Sequence, residues 1–108
     1  MPPDGLIAFT TFPTPEAARA AVEDLVREGL VAGGTVVPGA TSVYRWRGEV
    51  VTSDEALVVL KLAAERFAAV EARLIPRHPY EVPELIAVPI AAAHGAYLEW
   101  LLSAERQG

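Results

Sequence analysis

No cysteine occurs in the 108 residues, which excludes disulfides, zinc–thiolate centres and a thiol nucleophile together. Any metal would have to be held by imidazole and oxygen, and there are only two histidines. Positive charge is the minority: 9 Lys and Arg against 14 Asp and Glu leave a formal charge of -5. The basic residues are scattered, so no nucleic-acid groove is expected, and cations suit the sign better. Long hydrophobic runs are missing as well. The longest, Leu85 to Ala93, is broken by Pro89, and the start MPPDG has no basic region followed by an apolar core. The expectation is a cytoplasmic protein with no membrane partner. Gly33-Gly34 and Pro38-Gly39 lack the spacing of a phosphate-cradling loop. Ser42, Ser53 and Ser103 have no evident base and orienter, so the chain is not expected to be an enzyme.

What is present is apolar. With 52% hydrophobic residues the chain can bury a real core but has no room for a second one, so residues 1–108 read as a single domain with an ordered core of about 6–102. Its organising stretch is Thr35 to Leu62, which reads as one long β-hairpin turning at Arg47-Gly48-Glu49. Val43 and Arg45 point one way, Tyr44 and Trp46 the other. Arms of roughly a dozen residues at about 3.3 Å each reach on the order of 40 Å, more than a compact chain of this size needs. A projecting ribbon bearing Val, Tyr and Trp is best covered by further copies of the same chain.

The other elements fall around it. Leu6 to Phe12 fits a buried strand. Thr14-Pro15-Glu16 opens a helix whose inner face is Ala18, Val22, Leu25 and Val26 and which Gly29 ends. The second strand begins within Leu30 to Val37, with a bulge or bend expected at Gly33-Gly34 and Pro38-Gly39. On the returning arm Thr52 to Glu55 is wet and Leu57 to Leu60 central, with Glu55 where the two regimes meet. Ala63 to Leu74 has helical spacing, residues 77–84 form a proline-stiffened loop, Leu85 to Ile90 is a last strand and Ala96 to Leu102 a short helix. The order β-α-β-β-α-β plus a helix is an α+β, ferredoxin-like split βαβ arrangement with both helices on one face of an antiparallel sheet.

Taken together, Pro38-Gly39-Ala40-Thr41-Ser42 before Tyr44 and Trp46, the Gly48 turn, Glu55 six residues before Lys61, His78-Pro79-Tyr80 with Pro83-Glu84, and Tyr97-Leu98-Glu99-Trp100-Leu101 resemble the CutA family of divalent-cation tolerance proteins, from about Leu6 to Leu102. The resemblance implies a ferredoxin-like subunit of a very stable homotrimer in which long hairpins complete intersubunit sheets. It also implies an association with copper and other divalent metals and a trimeric build like that of PII signalling proteins. Two positions depart from the family pattern. Many members have a cysteine where this chain has Gly33, and many read Lys-Thr where it has Lys61-Leu62. A copper–thiolate site at Gly33 is therefore excluded.

His78 is the candidate metal ligand, because imidazole binds Cu(II), Zn and Ni, and Glu55, Glu81 and Glu84 could add oxygens. The competing reading is a loop histidine hydrogen-bonded to a neighbour. His94, just before the last helix, reads as solvated or capping. Lys61 and Tyr80 are expected in a subunit cleft with Glu55 and Glu84, where Lys61 takes an anion or an interior ion pair with Glu84. Val43, Tyr44, Trp46 and Trp100 are the expected trimer interface. The functional expectation is a cytoplasmic, non-enzymatic homotrimer that binds divalent cations (Cu, Zn) not required for its fold. The alternatives are a PII-like sensor for a small anion or nucleotide, or a purely structural trimer.

Overall fold

The computed structural model describes residues 3–104. Four strands form one antiparallel sheet in the order β2-β3-β1-β4, where β1 is Gly5–Phe12, β2 Gly33–Trp46, β3 Glu49–Ala63 and β4 Ile86–Pro89. Three helices complete this α+β chain: α1 (Pro15–Arg27), α2 (Phe67–Leu74) and α3 (Gly95–Ser103).

Local chemistry accounts for the start and stop of α1. Thr14 is extended and its Oγ1 accepts from the Ala17 amide at 3.1 Å, while Pro15 occupies the first helical position. Gly29, at φ 71, ends the helix in the left-handed region that disfavours a Cβ. Ala18, Val22 and Leu25 are buried, but Val26 is 42% exposed, which corrects its expected inward placement. At 100° per residue Val26 lies about 80° around the helix from Ala18 and falls off the edge of the apolar stripe.

Alternate residues of the two central strands supply the core: Ala8, Thr10 and Phe12 from β1, and Ala56, Val58, Leu60 and Leu62 from β3, against Val22, Leu25, Val70 and Leu74 of α1 and α2. Burying each of the larger side chains contributes about 1.5–3 kcal/mol. The second helical stretch starts later than its sequence spacing suggests. Ala63 is still paired with Gly5 in the sheet, and Ala64–Arg66 is a 3-10 turn ahead of α2. The opposite face of the sheet is only partly covered. There α3 seats Leu101, fully buried, over the Gly5 end, while Ile86 and Val88 remain 57% and 45% exposed.

The hairpin of β2 and β3 closes through a two-residue turn, Arg47 (φ 51) and Gly48 (φ 82), with Glu49 already paired to Trp46 rather than part of the turn. Beyond the Phe12–Ala56 pair it continues as a two-stranded ribbon, and the chain is 44 Å along its longest axis against 28 and 24 Å across. Between Val37 and Ala40 the register slips, so that β2 uses one more residue than β3. Pro38 has no amide to give to the ladder, and Gly39 takes φ 76. An inserted residue in a structure with period two exchanges the faces. Ala40, Ser42, Tyr44 and Trp46, which would otherwise lie opposite Glu55, therefore share its side of the ribbon.

Candidate functional site

A cleft of about 570 Å³ opens where the ribbon leaves the sheet, between Ser42, Tyr44, Trp46 and Glu55 on one side and residues 79–84 on the other. The loop is held there by His78. Its ring stacks on Phe12 with centroids 4.3 Å apart, and Nε2 lies 2.7 Å from the Thr11 carbonyl. Nδ1 accepts the Tyr80 amide at 3.1 Å. A carbonyl can only accept, so Nε2 carries the proton and the ring is the neutral Nε2–H tautomer. Both nitrogens are thereby spent on main chain. In this arrangement His78 offers no lone pair to a metal, and it is the hydrogen-bonded loop histidine of the competing reading.

Glu55 is the buried acid of the cleft, 8% exposed. Tyr80 donates its hydroxyl to Glu55 Oε2 at 2.6 Å. Burial works to raise the Glu55 carboxyl, but the hydroxyls of Ser42, Tyr80 and Thr11, with His78 beyond them, outweigh it and hold the carboxyl below its usual range. The same burial, with the Glu55 charge, pushes the Tyr80 phenol well above its ordinary value. At the mouth, Arg47 donates to Glu81 at 2.9 Å and lies 5.4 Å from the Trp46 ring centre. Glu84 is exposed and lines the cleft as well.

Of the residues singled out from sequence, the fold brings Glu55, Tyr80, Glu81, Glu84, Tyr44, Trp46 and Val43 to this cleft. It does not bring Lys61. That side chain donates to Thr35 Oγ1 at 2.7 Å and lines a separate cavity of about 230 Å³ with Ile7, His94 and Leu101. Lys61 lies six residues along β3 from Glu55, about 20 Å away, so the expected Glu55–Lys61–Tyr80–Glu84 cluster and the Lys61–Glu84 pair do not form within one chain. His94 is exposed and its side chain makes no capping bond to α3. Trp100 packs on Tyr97 at 5.4 Å and over Gly33, and stays 41% exposed. Ser42 and Thr11 were not anticipated as partners of Glu55. For Ser42 the signal was present, since a bulge at Pro38-Gly39 puts every second residue from Ala40 on the Glu55 face.

The residues present do not fit a tightly held transition metal. Among the described residues no three His, Cys, Asp or Glu side chains are grouped to hold an ion, whereas such sites collect three or four protein ligands.

Residues 6–104 match the sequence profile of the CutA1 divalent ion tolerance protein family. The divalent-cation tolerance protein CutA of Thermus thermophilus is 43% identical over 95 residues, 88% of this chain and 92% of that protein. A chloroplastic CutA of Arabidopsis thaliana is 35% identical over 94% of this chain, which spans only 56% of that longer protein. Among solved structures, CutA1 from the psychrotrophic bacterium Shewanella sp. SIB1 superposes with a TM-score of 0.92 at 34% identity, over 96% of this chain and 97% of that one.

Proposed function

The chain belongs to the CutA1 divalent ion tolerance protein family, and from that premise we propose that it is a cytoplasmic, non-enzymatic homotrimer that takes up divalent cations weakly. The observation that carries the reading is Glu55: a carboxylate buried at the floor of a cleft, held by hydroxyls without a Lys or Arg partner among the described residues, with Glu81 and Glu84 above it. Glu55 and Glu84 are the primary cation-binding groups and Glu81 joins when Arg47 releases it. His78 contributes a nitrogen only after giving up its bond to Tyr80. Carboxylate oxygens in an open cleft hold Zn and Cu(II) only weakly and exchangeably, since these ions prefer imidazole nitrogen, and a chain without thiols lacks the soft ligand that Cu(I) prefers.

The trimer is supported by what one copy leaves uncovered. Val43 and Val50, on the ribbon face away from Glu55, are 65% and 67% exposed, and Ile86 and Val88 leave an apolar surface on the open face of the sheet as well. Among the described residues no strand pairs with the outer edge of β2, which leaves its main-chain groups able to complete a neighbour's sheet. The strand order also fits a ferredoxin-like subunit. A PII-like sensor of anions or nucleotides is the weaker reading, because the cleft carries carboxylates and Lys61 lies elsewhere. A purely structural trimer remains if neither kind of ligand binds.

Calorimetric titration with Cu(II) and Zn tests the site. Weak binding that drops at least several-fold in Glu55→Gln is the expected result, and identical isotherms for both proteins would remove the cleft from consideration. Light scattering tests the assembly: a mass three times that of the chain is expected at micromolar concentration, and a monomer would refute it.

A further inference from the structure

The hairpin cleft is large and aromatic for a metal site. Its volume of about 570 Å³ falls in the range of pockets that hold small organic molecules, roughly 300–1,000 Å³. The rings of Tyr44, Trp46 and Tyr80 line it, and the face of an aromatic ring is electronegative. Glu55 lies among them, more than nine-tenths buried, with no Lys or Arg partner among the described residues. A buried carboxylate is normally matched by a cation, and among the described residues no Lys or Arg supplies the matching charge. A separate observation shows what kind of cation the surroundings accept. The guanidinium of Arg47 lies over the Trp46 ring at 5.4 Å and donates to Glu81 at 2.9 Å. Ring and carboxylate at the mouth thus already hold an organic cation, and deeper in the same aromatic-lined cleft the Glu55 carboxylate, bonded to the Tyr80 hydroxyl, has no Lys or Arg on it among the described residues.

From these observations we infer that the cleft binds a small organic cation, an ammonium or guanidinium compound, with its head donating to Glu55 and its body against Tyr44, Trp46 and Tyr80. Carboxylates and aromatic faces together favour such a ligand over a bare ion, because ring faces attract a diffuse, weakly hydrated charge and offer a metal no ligand atom. This ligand shares Glu55 with the cation-tolerance reading but does not depend on it.

Ethylguanidinium and N-ethylurea, planar molecules of nearly the same shape that differ in charge, test the inference by calorimetry on the intact assembly. Ethylguanidinium is expected to bind and N-ethylurea not. Glu55→Gln is expected to weaken ethylguanidinium about tenfold or more, and the conservative Trp46→Phe about threefold, with the zinc isotherm of Trp46→Phe unchanged. Equal binding of the two probes, or ethylguanidinium affinity unaffected by both substitutions, would overturn it. Should Glu55→Gln fail to fold, Trp46→Phe and the probe pair still decide. Zinc binding without ethylguanidinium binding removes this inference alone, and the reverse removes the metal reading alone.

Discussion

Tyr80 donates its hydroxyl to Glu55 at 2.6 Å, tying the loop after α2 to the point where the hairpin leaves the sheet. Two regions separated by 25 residues of sequence are joined by this bond at the floor of the cleft. Tyr80→Phe keeps the ring and removes the donor, leaving a buried carboxylate oxygen short of a partner. The expected loss of stability is about 1–3 kcal/mol, read as a lowered urea midpoint. An unchanged midpoint would show that water replaces the hydroxyl at no cost.

Stability should depend on pH on both sides of neutrality. Burial depresses His78 from its ordinary 6.5, against the opposing pull of its bond to Thr11 and the Glu55 charge. The unfolded chain therefore binds the proton more readily, so the His78 contribution is full above 6.5 and is lost as pH falls below it. Glu55 is also depressed, so its contribution is present above 4.5 and lost on further acidification. Tyr80 is raised above its ordinary 10.0, so the unfolded chain ionises first and stability falls as pH rises past that value. Urea midpoints measured across pH should show a plateau between about 7 and 10. His78→Asn should abolish the first acid decline and leave the one below 4.5.

Two adjacent glycines should respond differently to a side chain. A Cβ on Gly34 would stand 2.8 Å from Val22 Cγ1 and 3.0 Å from Leu60 Cδ2, inside the core. Gly34→Ala is expected to cost about 1–3 kcal/mol by overpacking. A Cβ on Gly33 meets only the Trp100 ring, at 3.4 Å. Gly33→Ala and Gly33→Cys are expected to fold with melting temperatures within a few degrees of the parent, which calorimetric melting would check.

The bulge should be indispensable to the cleft. Gly39→Ala places a Cβ at φ 76 with nothing within 4 Å of it to clash, so any loss, about 1–2 kcal/mol, is backbone strain alone. Deleting Gly39 goes further, because it returns Tyr44 and Trp46 to the face away from Glu55. Light scattering and near-ultraviolet circular dichroism should then report a changed assembly and a changed tryptophan environment, whereas a deletion variant identical to the parent would show that the ribbon tolerates either face.

Much of the architecture was legible because short-range chemistry dictates it. Thr14-Pro15 and Gly29 bracket α1, the apolar run from Leu6 makes a buried strand, and Gly48 turns the hairpin, each through constraints that act within a few residues. Errors came where longer-range pairing overrode local spacing. Ala63 fits a helical repeat, yet its pairing with Gly5 keeps it in β3.

The sequence by itself determined the long hairpin, its alternating aromatic face, the absence of thiol chemistry and the acidic balance, all of which depend on residue type and period. Only the tertiary structure decided which groups meet. Glu55 and Lys61 share a face of one strand, but rise along a strand separates them and no sequence pattern could join them. His78, the evident ligand in the sequence, is consumed by the Thr11 carbonyl and the Tyr80 amide, because the loop that carries it needs an anchor at the end of β1. The bulge at Pro38-Gly39 then sets which face of the ribbon looks into the cleft, since one extra residue in a period of two exchanges every side chain that follows it.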